Sequence, residues 1–181
     1  SGCGVTLGYA ERDGDRVFNS AVVFDATGAE IAHYRKTQLY GARERGIYAP
    51  GDALCTFDLD GIKAALLICY DVEFAPLLRR LAEMGVELIL VPTANPEPNI
   101  HVSRLIVPAH AINHGVTIAY ANYCGTGMGG IAYCGGSTIV APDAVVLAQA
   151  GPGPALLTAD IARQPDRALL QTQLSDFRPP R

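Results

Sequence analysis

Between residues 62 and 92 the chain changes chemistry in an order that few folds can absorb. IKAALLIC (62–69) is apolar on both faces, as a strand at the centre of a buried sheet must be. The run ends at Cys69 and turns acidic and aromatic through YDVEF. It resumes as PLLRRLAEMG (76–85), where Leu77, Leu78, Leu81 and Met84 fall at helical spacing, Pro76 suits a first turn and Gly85 a stop. VELILVP (86–92) is again a buried strand. Strand, sharp bend, helix and strand together predict an α/β fold.

The flanking segments fit that class. Turns at ERDGDR and DATGA frame two strands, VFNSAVVF (17–24) and EIAHYR (30–35). KTQLYGARERGIYAPGD (36–52) is charged, glycine-bearing and aromatic without a sustained apolar period, and predicts a long loop of the kind that carries function. ALCTFDL (53–59) pairs through the turn DG with IKAALLIC. A helix is expected from Pro108 to His114 and a strand over VTIAYANY (116–123). CGTGMGGIAYCGG (124–136) predicts a glycine-rich loop, STIVAP, VVLAQA and ALLTADI (155–161) predict strands, and RALLQTQL (167–174) a short helix.

A chain of 181 residues that is 49% hydrophobic buries one substantial core, so residues 1–181 are read as one domain. Its 14 basic and 18 acidic residues give a net charge of -4 without a basic block, which argues against nucleic acid or an anionic membrane as partner. No apolar run is long enough to cross a bilayer, and the opening residues lack a charged start followed by an apolar stretch. Five cysteines at irregular spacing argue against a disulfide framework and for a reducing, cytoplasmic setting. Without a C-x-x-C pair, a cysteine metal site is not expected.

Cys69 carries the strongest chemical signal. A cysteine on a bend between buried strand and helix faces backbone N–H groups, an arrangement expected to lower its thiol pKa; the competing reading is a packed, inert cysteine. Lys36 and Glu44 share the polar loop. An ammonium there would steady a thiolate or an oxyanion, and a carboxylate would hold the ammonium charged; the competing reading is a solvated loop. His110 and His114 stand four apart on a helix but lack the acidic partner of a zinc-protease motif, so packing is preferred. Gly125, Gly127 and Gly130 spell G-x-G-x-x-G ahead of a strand pattern where a dinucleotide site needs a helix. Ser137 lacks the strand-turn-helix context of a nucleophile.

YRKTQLYG (34–41), ERGIYAPGD (44–52), ICYDVEF (68–74), ELILVPTAN (87–95) and VTIAYANYCG (116–125) resemble, in order, the signature segments of the nitrilase superfamily of carbon–nitrogen hydrolases. The resemblance implies a four-layer αββα sandwich missing its first elements, and subunits that pair into a homodimer or larger homo-oligomer. It makes Cys69 the nucleophile and Lys36 the lysine of a Glu-Lys-Cys triad. Glu44 becomes a second pocket glutamate, Tyr70 the donor of an oxyanion-hole N–H, and Asn95 a residue lining the pocket. No metal or organic cofactor is implied. The activity implied is hydrolysis of a small amide through a thioester, with nitriles or N-carbamoyl amides as alternatives. The family's base glutamate precedes the lysine segment, and neither Glu11 nor Glu30 is expected to replace it. The chain therefore reads as a fragment, or as a homologue that binds or traps an acyl group without turnover. Where the family has Pro-Glu after its cysteine motif, this chain has Ala75 and Pro76.

Overall fold

The structure is a computed structural model that describes residues 2–162 and 172–179. Two sheets build it. The first is antiparallel, in the order β1 (Val5–Asp13), β2 (Arg16–Phe24), β3 (Glu30–Arg35). The second has six strands. Its centre is the parallel trio β5 (Ile62–Leu66), β6 (Leu88–Thr93) and β7 (Thr117–Asn122); β4 (Cys55–Leu59) flanks β5, and β10 (Thr138–Val140) and β11 (Val146–Gln149) lie beyond β7.

The strand-bend-helix-strand unit is present as expected. α2 (Ala75–Glu83) buries Leu78 and Leu81 and carries a proline in its first turn. Gly85 beyond it sits at φ +81°, a left-handed conformation that a side chain would strain. α3 (Val107–His114) also starts on a proline, Pro108, follows a π-helical turn at Val102–Ile106 and ends at left-handed Gly115. One apolar core joins both sheets and the helices: Val23 and Tyr34 of the first sheet, Leu66, Ile89 and Ile118 of the second, Leu78 and Leu81 of α2, and Val107 and Ala111 of α3. Sheet, sheet and helices are thus three of the layers of the anticipated α/β sandwich; a helical layer over the outer face of the three-stranded sheet is not seen among the described residues.

Four elements depart from expectation. Residues 5–13 form β1, paired residue for residue with β2 from Val5↔Phe24 to Asp13↔Arg16. The opening residues read as strand-like but, broken by Gly8, without an obvious starting element, and pairing with the partner strand supplies that element. The polar segment 36–52 contains α1 (Gly41–Ile47), a helix without buried residues and therefore without an apolar period. The glycine-rich stretch folds as a small hairpin, β8 (Cys124–Thr126) with β9 (Ala132–Cys134). ALLTADI forms no strand: it finds no ladder, and Leu156 is 92% exposed. Of RALLQTQL, residues 167–171 lie outside the described residues; α4 (Gln173–Asp176) follows.

Glu11 is half-buried, whereas Glu30 is exposed. Glu11 accepts hydrogen bonds from Ser20 (2.5 Å), His33 (3.0 Å) and the guanidinium of Arg35, which lies 4.0 Å from the centroid of the Phe18 ring. The Arg35 hydrogen bond, above all, lowers its carboxyl to about 2. A carboxyl held low in the fold stabilises it fully above the unfolded value, and that stabilisation fades as pH falls toward the folded one. Glu11→Gln should therefore cost about 2 kcal/mol near neutrality, after allowance for solvent screening, and nothing near about pH 2, as urea melts across that range would show.

Candidate active site

A cavity of about 740 Å³ opens beyond the carboxyl ends of β5 and β6, where parallel sheets commonly place ligands. Lys36, Glu44, Cys69, Tyr70 and Asn95, the residues singled out from sequence, all line it. They arrive from different layers: Lys36 follows β3, Glu44 sits on α1, Cys69 and Tyr70 begin the turn after β5, and Asn95 follows β6.

Lys36 is only 2% exposed. Its ammonium donates to both oxygens of Glu44, at 2.9 and 2.8 Å. Glu44 also accepts from the Asn19 amide (2.6 Å) and the Tyr40 backbone N–H. A charge this buried needs such a partner, and the pair fixes the lysine's direction. The lysine backbone is clamped as well: its N–H donates to the Asn19 carbonyl (2.8 Å) and its carbonyl accepts from Gly51 (2.8 Å). A side-chain carbon at Gly51 would stand 2.2 Å from the Arg35 carbonyl oxygen, so only glycine permits that approach.

Cys69 opens a 3₁₀ turn, Cys69–Glu73, with φ +49°. A non-glycine residue in the left-handed region is strained, and such strain persists where surrounding structure enforces it. The backbone N–H groups of Ala94 and Tyr70 and the charge of Lys36 favour its thiolate. Burial nevertheless outweighs them and, with Glu44 adding to it, pushes the thiol up. The sequence expectation of a lowered thiol is therefore corrected: the bend is there, but desolvation wins. Alkylation of Cys69 should accordingly rise with a midpoint above the ~8.5 of a free cysteine, and Glu44→Gln should move that midpoint down, as iodoacetamide rates against pH would show.

Asn95 is buried and turned into its own loop. Its amide donates to the Asn99 carbonyl (2.9 Å), and its backbone N–H donates to the Asn122 side chain (2.7 Å). Asn122 also donates to the Gly135 carbonyl (2.6 Å), and its own N–H donates to Ser137 Oγ (2.9 Å). Ser137 is thus a strand-linking residue, in keeping with its expected lack of nucleophile context. Among the described residues no group of three or more His, Cys, Asp or Glu is placed to hold a metal; His114 Nδ1 bonds to the His110 carbonyl (2.9 Å). Gly125, Gly127 and Gly130 lie in the β8–β9 hairpin rather than ahead of a helix.

Asp71 is the site residue that sequence reasoning missed. It is 0% exposed and accepts from the hydroxyls of Tyr34 (3.0 Å) and Thr37 (3.2 Å) and the backbone N–H groups of Gln38 (2.8 Å) and Ile68 (3.0 Å). Burial still pushes its carboxyl up against those donors. The signal available was an acidic residue two places after an apolar strand. Removing it strands donors from both the lysine segment and the cysteine turn, so Asp71→Ala should cost about 3 kcal/mol or more in a denaturant melt.

Comparison with known proteins returns the same α/β sandwich architecture. A family model described as carbon-nitrogen hydrolase matches residues 1–168, and the chain belongs to that family. It is 42% identical to the "Hydrolase in pqqF 5'region" of Pseudomonas protegens, over 99% of this chain and 64% of that protein. It is 37% identical to an (R)-stereoselective amidase of Pseudomonas sp, over 81% of this chain and 53% of that one. The chain thus spans less than two thirds of either relative. Among solved structures it superposes on the amidase from Nesterenkonia sp. AN1 with a TM-score of 0.88 at 35% identity, covering 98% of this chain and 67% of that one. Variants of that amidase have been solved with the product of acrylamide addition at the active-site cysteine and in complex with butyramide.

Proposed function

We propose that the protein hydrolyses the C–N bond of a small amide, releasing the acid and ammonia through a thioester on Cys69. The carrying observation is the placement of a left-handed cysteine in the same cavity as a buried ammonium. In this reading the Cys69 sulfur bonds to the amide carbon, and the carbonyl becomes an oxyanion held by the Lys36 ammonium and the Tyr70 N–H. Collapse breaks the C–N bond, the nitrogen leaves protonated, and water then cleaves the thioester. Because burial raises the thiol, a base must take its proton. Glu44 is occupied by three donor groups and Glu11 by Arg35, so the reading assigns that step to the glutamate that family resemblance places ahead of the lysine segment. Together these make up the Glu-Lys-Cys triad, with Glu44 orienting Lys36.

An amide is preferred over a nitrile or an N-carbamoyl amide because relatives carry the name amidase and a similar structure holds butyramide. We read residues 1–181 as one catalytic unit, since a single core joins the two sheets. Self-association is supported by exposed Val146 and Leu147 on the edge strand β11 and by exposed Val145 just before it. A reducing, cytoplasmic setting is supported by five unpaired cysteines, and no helix among the described residues is long and apolar enough to cross a membrane.

The test is ammonia release and intact mass after the protein carrying that preceding glutamate is exposed to butyramide and other small amides. Turnover should vanish in Cys69→Ala and fall about 100-fold or more in Lys36→Ala. An acyl adduct without turnover would favour the non-hydrolytic, acyl-trapping alternative. If Cys69 forms no adduct and alkylates no faster than Cys55, the cysteine is core packing and the reading fails.

A further inference from the structure

The cavity contains an acidic group that the reaction above leaves unused. Glu73 closes the turn that Cys69 opens and lines the same cavity, four residues along the chain from the nucleophile. Asp71, within that turn, is consumed by bracing. Glu73, by contrast, is half-buried and takes part in no hydrogen bond or ion pair with another described side chain or with the backbone through its carboxylate. Burial pushes its carboxyl up, while the charges of His101 and Lys36 pull the other way, which places it within electrostatic reach of the reacting groups.

The rest of the wall tells which charge would be welcome. Lys36 and Glu44 are bonded to one another and cancel. Arg43 also lines the cavity, but it is exposed, on the helix at the rim. Aromatic rings fill much of the remainder: Tyr9, Tyr40, Tyr48, Tyr70, Tyr123 and Tyr133, six of the eight tyrosines in the chain. Tyr40 and Tyr70 meet edge to face at 5.1 Å, as do Tyr123 and Tyr133. Aromatic walls attract cations through the ring quadrupole and offer an anion little. A cavity of about 740 Å³ also leaves room for an acyl chain well beyond the reacting amide.

We propose that Glu73 is a specificity-determining residue: the cavity favours amides whose acyl chain ends in a cationic amine and disfavours those ending in a carboxylate. The proposal rests on the amidase reading for the orientation of the amide toward Cys69, and it names the substrate class for that site.

Three probes of matched length test it: β-alaninamide (cationic), butyramide (neutral) and succinamate (anionic), titrated by NMR into the Cys69→Ala protein, where no turnover intervenes. β-Alaninamide should bind about tenfold tighter than succinamate, the size of one partly screened ion pair, with butyramide between them. In Glu73→Gln, or in Glu73→Ala if the first variant does not fold, the ratio should shrink to about twofold or less with butyramide binding unchanged; Arg43→Gln should widen it. Succinamate binding as tightly as β-alaninamide, a ratio indifferent to Glu73, or binding of none of the three would each overturn the proposal. The amidase reading is judged separately, by adduct formation and turnover in the unsubstituted protein, so the two fail on different measurements.

Discussion

A single buried carboxylate ties the two halves of the site together. Asp71 belongs to the cysteine turn of the six-stranded sheet, yet two of the groups it binds, Thr37 and Gln38, belong to the segment that carries Lys36. A third, Tyr34, lies on β3, and the fourth, Ile68, is next to Cys69. Burying a carboxylate is costly unless its oxygens are filled, and here donors from both segments fill them. The consequence is mutual: the lysine segment is ordered by the cysteine turn, and the cysteine turn by the lysine segment.

The cysteine that results is held in place more than it is activated. Its left-handed backbone aims the sulfur, and Ala94 and Tyr70 offer it N–H groups, but desolvation keeps the thiol protonated more readily than in water. In the proposed reaction such a site gains from the substrate's arrival, because an oxyanion in a dry cavity draws more from a nearby ammonium than it would in solvent. The Lys36–Glu44 pair is ready for that task before any substrate binds, and the clamp at Gly51 keeps its backbone from adjusting.

Much of this was legible in the residues. The apolar runs at 62–69 and 86–92 and the helical spacing of Leu78 and Leu81 fixed the central unit, because burial on both faces leaves a periodic record. Lys36, Glu44, Cys69, Tyr70 and Asn95 were found together in the cavity because short, specific motifs mark them. What escaped has a common cause. β1 is completed by its partner strand, α1 by the local hydrogen bond from the Tyr40 N–H to Glu44, and the Asn95 loop by Asn122; none of these polar or ladder supports shows as a hydrophobic period. The direction of the Cys69 shift escaped for a different reason: the sum of burial against several nearby charges needs coordinates.

Because Cys69 hangs from one sheet and the Lys36 ammonium from the other, the cavity straddles the seam of the sandwich. Gly8 of β1 lies against Pro92 of β6 across that seam, where an added side-chain carbon would meet the proline at 3.7 Å. A sandwich of this kind behaves as a vernier: its two scales can each stay intact while a small slide between them loses the reading. Chemistry on Cys69 is therefore a finer gauge of inter-sheet alignment than any spectroscopic count of strands and helices.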